Sequence, residues 1–386
     1  MSREVAKVCL YDESMAEAFD RFCQVIWPNA GDRESAPAAR VEEDQERHAG
    51  ADQDPQTFVF VKGNDIVGHV TTIPVQLSSY GKTVAAHWIV GFMVHPEHRN
   101  GLVGPLLIKE VKRRLDCALS LHVELPVLRI LTGLKWVHRG ILPQYLRVLN
   151  ARAVSHNIQL SGVKALGAGK GDGTTAVRGR IVESCVRVLG GWGLATCQAL
   201  WVGLTIVARH RSSRVEVREE QGFDDGYEKL WQAVSGHFGA CLARDRQYLQ
   251  RRFGRHPDRY RVIGCRQENL LLGYCIVKTK QFSNDSRMGD MKVGTIVDCL
   301  FDPAAPVALQ ALLDFVVKKL AQEGVHAVLC TASHAAVRRL LRGNGFFAIP
   351  GNLNFAYYNR TNVTLQDIPL ESWHLMRGDS DADQNF

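Results

Sequence analysis

No Cys-x-x-Cys pair occurs among the ten cysteines of this 386-residue chain. Their scatter fits neither a metal site nor a disulfide framework, so no metal is expected. The amino terminus lacks the apolar core of a signal peptide, and a reducing cytoplasm is the expected compartment. Positive charge is not concentrated either. The formal net charge is +7, but it is dispersed rather than gathered into one basic, aromatic-rich patch, which argues against nucleic-acid binding and leaves a small anionic ligand or a membrane surface. With 46% hydrophobic and 23% charged residues, the composition is that of a globular protein, and the length suffices for two domains with sizeable cores.

Long apolar runs are also scarce. From Val188 to Ala208, between Arg187 and Arg209, 21 residues pass without a charge, long enough to cross a bilayer. Gly190, Gly191, Gly193, Thr196, Gln198 and Thr205 dilute the run, and a span here would put the two halves of the chain on opposite sides. It reads best as a buried or interdomain helical connector, with a peripheral membrane contact and a true span as the alternatives. Glu34 to Gln56, which includes Glu42-Glu-Asp-Gln-Glu-Arg47, reads as a solvated helix or loop, and Gly378 to Phe386 as a disordered tail.

The most informative stretch runs from Phe92 to Leu107. Val90 to Val94 is an apolar strand, Pro105 suits a first helical turn, and Leu106, Leu107, Val111 and Leu115 recur at helical spacing. Backbone N–H groups at such a helix start lack intrahelical partners and lie at the positive end of the helix dipole, where they can bind a pyrophosphate. Gly101 and Gly104 would let the backbone approach it closely. The lysine and serine or threonine of a nucleotide-triphosphate loop are absent, as are the third glycine and downstream acid of a dinucleotide site.

With Val94, Pro96, Arg99 and Gly104 in place, the segment resembles motif A of the GNAT acetyltransferase superfamily. Gly101 stands two rather than three residues after Arg99. Counting from His98 instead gives His98-x-x-Gly101-x-Val103, and either register puts donors in the turn. The resemblance implies that Phe92, Met93, Val94, Arg99, Asn100, Gly101, Leu102, Val103 and Gly104 hold acetyl-CoA or another acyl-CoA, whose anionic pyrophosphate suits the positive balance. It extends over roughly residues 4 to 152. Phe58–Val61 and Ile66–Val70 form a hairpin, a strand lies near Leu119 to Glu124, a short helix runs from Val127 to Leu134, Trp136 follows, and a last strand spans Ile141 to Leu149.

The pattern then returns. Arg261–Gly264 and Leu271–Val277 restate the hairpin, with Gly273-Tyr274 where Gly68-His69 stood. Val293–Phe301, Pro306–Leu320, Ala327–Thr331 and Gly343-Asn-Gly-Phe346 follow in the earlier order. The phosphate loop has become Asp302-Pro-Ala-Ala-Pro306, which without glycines and with an aspartate is a poor pyrophosphate site. The expected fold is therefore α/β, with two GNAT-like domains, each a mixed twisted sheet flanked by helices. Residues 1–152 form the acyl-CoA-binding domain, 153–213 a linker, 214–362 a degenerate second domain and 363–386 a tail.

The implied reaction is N-acyl transfer to a small-molecule amine, favoured as an amino-sugar or sugar nucleotide. Alternatives are an amino acid or protein N-terminus as acceptor, transfer of an acyl chain longer than acetyl, and a binding or scaffold protein of polysaccharide assembly that keeps the fold after losing turnover. In GNAT enzymes the strand before motif A and the next strand splay, and the thioester lies between them. His122 and Glu124 would then share one face of the second strand, where either serves as general base. His87 and His69 are weaker candidates. Leu131 stands where many relatives carry the tyrosine that protonates the thiolate, which leaves Tyr145 or water for that role, or an inactive relative. Arg244 to Pro257 resembles a segment of GNAT-like proteins associated with bacterial surface-polysaccharide synthesis. Its arginines either clasp an anionic acceptor or simply face water.

Overall fold

The computed structural model describes residues 6–28, 55–157, 215–285 and 288–383. The uncharged run 188–208 and most of the polar stretch 34–56 lie outside them. The first half runs β1 (Ala6–Leu10), α1 (Ala16–Ile26), β2 (Gln56–Lys62), β3 (Asp65–Ser79), β4 (Lys82–Val94), α2 (Val103–Arg114), β5 (Cys117–Leu121), α3 (Leu125–Gly133), β6 (Val137–Ile141) and β7 (Gln144–Val148). The second half runs β8 (Glu216–Glu220), α4 (Asp225–Val234), β9 (Ala240–Leu242), β10 (Arg261–Gln267), β11 (Leu270–Gln281), β12 (Lys292–Phe301), α5 (Pro306–Gln322), β13 (Ala327–Thr331), α6 (Ala335–Gly343), β14 (Phe347–Ile349), β15 (Asn354–Asn359) and β16 (Trp373–His374).

Period-two alternation sorts the β2 side chains between two helices. Phe58 and Phe60 pack with Leu107, Ile108 and Val111 of α2, whereas Val59 packs with Phe19 and Phe22 of α1 on the opposite face. The second sheet is sandwiched in the same way, with Cys265, Cys275 and Cys299 against α5 and Tyr274 and Ile276 against α4. Register also matches between the halves. Gly68 faces Val94 and His69 faces Met93, as Gly273 faces Phe301 and Tyr274 faces Leu300. Helices α3 and α6 end alike, with Lys135 at φ 65° and Gly345 at φ 76°. In both, a residue just beyond returns its N–H to the last turn, Trp136 to Leu131 at 3.0 Å and Phe346 to Leu341 at 3.1 Å.

The single strand expected over Ile141–Leu149 is instead two strands in two sheets. β6 stays in the first sheet, the chain crosses at Leu142-Pro143, and β7 enters the second sheet between β13 and β14. The second half answers in kind, because β14 stays home while β15 crosses into the first sheet between β5 and β6. Proline at 143 ends the strand because it cannot donate to a ladder. Each sheet thus contains a strand from the other half, and the units 1–152 and 214–362 do not each close a sheet alone. The two crossings touch, since Leu142 N–H donates to the Leu353 carbonyl at 2.9 Å and a Cβ on Gly351 would overlap the Leu142 carbonyl oxygen.

The carboxy-terminal segment is not a disordered tail as far as Asp383. Trp373, His374, Leu375 and Met376 are fully buried, and β16 pairs with β9, which itself adds to β3. Arg244, fully buried, donates to Asp298 at 2.9 Å and to Asp379 at 2.7 Å. Arg252 pairs with Asp383, whose other oxygen accepts from the Tyr260 hydroxyl. The arginines expected to clasp a substrate or face water are therefore divided: Arg246 is exposed, while Arg244 and Arg252 hold this chain's own terminus.

Gly351→Ala should lower stability by about 1–3 kcal/mol through overpacking at the crossing, read as a lower urea midpoint. Gly133→Ala, where a Cβ meets nothing within 4 Å, should leave the midpoint unchanged or raise it. An unaltered midpoint for Gly351→Ala would sink the close-approach account.

Candidate active site

Parallel pairing of β4 with β5 is confined to His87 opposite Ala118 and Trp88 opposite Leu119. Beyond Trp88 the strands part, as the sequence led one to expect. β4 continues to Val94 along β3 with a bulge, in which Val70 faces both Gly91 and Phe92 and Gly91 adopts φ 59°. The edge of Phe92, Met93 and Val94 that would face β5 therefore pairs with no strand among the described residues and borders a gap.

After Val94 a single turn, Pro96–His98, leads toward α2. Several loop donors are already engaged: His98 N–H reaches the His95 carbonyl at 2.8 Å and Gly101 N–H the His98 carbonyl at 3.1 Å. Arg99 folds back, with Nε 3.1 Å from the Val94 carbonyl. The first helical bond is Leu106 N–H to the Leu102 carbonyl at 2.9 Å. Among the described residues the N–H groups of Asn100, Leu102, Val103 and Gly104 have no protein acceptor. They collect at the positive end of a helix with no acidic residue in its first turn.

The two glycines do different work from that expected. Gly101 does not offer its N–H, and neither glycine has positive φ. At Gly104 a Cβ would lie 3.1 Å from Phe92 Cζ and 3.2 Å from Ile130 Cδ1, so this glycine lets α2 seat against β4 and α3.

The candidate acid–base groups are redistributed. β5 ends at Leu121, so His122 and Glu124 do not share a strand face. His122 is a left-handed turn residue at φ 63° and Glu124 is the residue before α3, both exposed on the turn at the open end of the gap. Tyr145 is not near this gap. It lies on β7 in the core of the second sheet, where its hydroxyl accepts from Arg338 at 3.1 Å and Arg342 at 3.3 Å. Strand exchange removed it. Leu131 is buried in the α2–α3 core, and His87 is half-buried with its pKa lowered by burial.

His69 is fully buried beside Met93, and among the described residues neither ring nitrogen has a partner. Phe19 and Phe22 meet its ring edge-on at 5.2 and 5.6 Å. Burial pushes its pKa down to about 3, so the ring is neutral. Sequence reasoning missed Asn354 and Phe355. Asn354 donates to the Val123 carbonyl at 2.9 Å and Phe355 faces Leu121 at the end of β5. Both arrive on the exchanged strand, which leaves no local signal.

Residues 15–116 match the family model described as an acetyltransferase (GNAT) domain. No curated protein matches the chain. Among solved structures, N-myristoyltransferase from Saccharomyces cerevisiae with bound myristoyl-CoA aligns at TM-score 0.52 and 14% identity, covering 93% of this chain and 83% of that one. A GCN5-related N-acetyltransferase from Anabaena variabilis aligns at TM-score 0.55 and 10% identity, covering 92% and 72%. A conserved protein of unknown function from Enterococcus faecalis aligns at TM-score 0.51 and 12% identity, with the same 92% and 72% coverage. At these identities the likeness is one of fold, and it extends across both halves of the chain.

The buried histidine predicts acid lability. Its folded pKa, about 3, lies below the unfolded 6.5, so its contribution is complete above the unfolded value and is lost as pH falls toward 3. His334, lowered to about 4, acts in the same direction, while Asp379, raised by burial to about 6, opposes it. Between pH 7.5 and 5, His69→Leu should lose about 2 kcal/mol less stability than wild type, measured by urea unfolding at both pH values. Equal losses would mean the ring is not buried neutral.

Proposed function

We propose that this chain, whose residues 15–116 match a GNAT acetyltransferase domain model, is an N-acyltransferase of that type, and that its first half binds acyl-CoA across the end of β4 and the start of α2 and passes the acyl group to a primary amine. The observation that carries this reading is the parting of β4 from β5 beyond Trp88, next to a helix start with unengaged N–H groups. The pyrophosphate would rest on the N–H groups of Asn100, Leu102, Val103 and Gly104, with Arg99 alongside. The pantetheine would lie along Phe92–Val94, whose gap-facing backbone supplies donors for the thioester carbonyl as negative charge develops there. A neutral amine attacks that carbon, the C–N bond forms, the C–S bond breaks, the nitrogen gives up a proton to a group at the open end or to water, and the CoA thiolate leaves and takes up a proton to end as free thiol. Glu124 and His122 are placed on that turn.

An amino-sugar remains the acceptor we favour, on the strength of the Arg244–Pro257 resemblance alone. Arg244 and Arg252 bond to Asp298, Asp379 and Asp383, so the acceptor is not recognised through those two guanidinium groups. The second half also offers no equivalent cradle. The Asp302 carboxylate there accepts the Ala304 N–H at 2.8 Å, filling the turn with negative charge.

Calorimetric titration with acetyl-CoA tests the assignment through Gly101→Glu. Gly101 is exposed and a Cβ there meets nothing closer than 3.4 Å, so the added carboxylate should repel pyrophosphate without disturbing the fold. Affinity should fall at least about tenfold, or about 1.4 kcal/mol. Absence of binding by wild type would refute the reading. Binding without thiol release from glucosamine or α-amino acids would instead point to a protein that has kept the fold and lost turnover.

A further inference from the structure

We propose that Trp88 sets the length of acyl chain that the first half accepts, an inference resting on the acyl-CoA reading above. Trp88 is the last β4 residue paired with β5, so its side chain stands where the gap begins. Alternation sends it away from α2: Ile89 packs in the α2 cluster, whereas Trp88 joins the cluster on the opposite face. An acyl group entering from the α2 side therefore has this indole in its path.

The indole is backed by aromatic rings from the second half. Phe355, delivered by the exchanged strand to a place opposite Leu121, meets it edge-on at 6.4 Å. Trp373 follows at 5.0 Å from Phe355, and Tyr357 lies 5.6 Å from Trp373. Trp88, Phe355, Tyr357 and Trp373 are all essentially without solvent exposure. An extended acyl chain passing the strand parting would have to displace these buried rings, whereas an acetyl group need not reach them.

A second observation bears on Trp88 itself. Among the described residues its buried Nε1–H has no hydrogen-bond partner, a desolvation cost that phenylalanine or leucine at the same place would avoid. Core packing alone does not call for an indole here. Trp88 also walls a small cavity together with Ile73, Val75, Tyr248 and Arg252. Removing the ring would join the gap to this small cavity, whose lining also includes Asp379, Ser380 and Asp381, and the volume vacated by the indole is what a longer chain would enter.

The test is calorimetric titration of wild type, Trp88→Ala and Trp88→Phe with acetyl-, butyryl- and octanoyl-CoA. Wild type should bind octanoyl-CoA at least tenfold more weakly than acetyl-CoA, and Trp88→Ala should shrink that ratio at least tenfold. Trp88→Phe keeps a ring and guards against loss of folding, checked by circular dichroism. It should shift the ratio for butyryl-CoA before that for octanoyl-CoA. If wild type binds octanoyl-CoA as tightly as acetyl-CoA, or if folded variants keep the wild-type chain-length order, Trp88 is not the gauge. If no acyl-CoA binds to wild type, the underlying cofactor reading falls and this inference with it.

Discussion

The two backbone crossings at Leu142-Pro143 and Pro350-Gly351 constrain everything else in this molecule. Because β7 and β15 trade places, each sheet is completed by the other half, and neither half satisfies its own ladder without the exchange. The crossings lie in contact, with Gly351 against the Leu142 carbonyl, so a side chain at one would push on the other. Phe355 and Asn354 reach the end of β5 by this route, which means that residues more than two hundred positions away finish the gap beside motif A.

A second tie runs through buried charge. Arg244 bridges Asp298 on β12 and Asp379 near the carboxy terminus, and Arg252 bridges Asp383, all almost fully buried. Such pairs add little over well-packed apolar groups, yet removing one partner typically costs about 3–5 kcal/mol, because the other charge is left desolvated. They consequently fix where the terminal segment lies more than how stable the molecule is. With that segment in place, Trp373 seals the first sheet and β16 extends it through β9.

Motif A illustrates how the same residues serve different ends. Gly104 relieves crowding between α2, β4 and α3, and Gly101 uses its N–H inside the loop, while the donors left over are those of Asn100, Leu102 and Val103 together with that of Gly104. The shift of Gly101 relative to the usual spacing is thus compatible with a donor-bearing turn, because no positive φ is demanded at either glycine.

The sequence by itself determined the local elements: the hairpin of β2 and β3, the strand–turn–helix around Pro96 and Pro105, and the parallel order of elements in the second half. Apolar periodicity and turn residues act over a few positions, so they are readable in one dimension. Tertiary structure alone decided that Tyr145 belongs to the other sheet, that His122 and Glu124 sit on a turn, and that Gly378 to Asp383 is interior. Tyr145 looks the same in sequence whichever sheet its strand joins, because alternation fixes which face a side chain takes but not which partner supplies the hydrogen bonds. The terminal segment reads as polar for a similar reason: Asp379 and Asp383 are buried only because Arg244 and Arg252, distant in sequence, arrive to neutralise them.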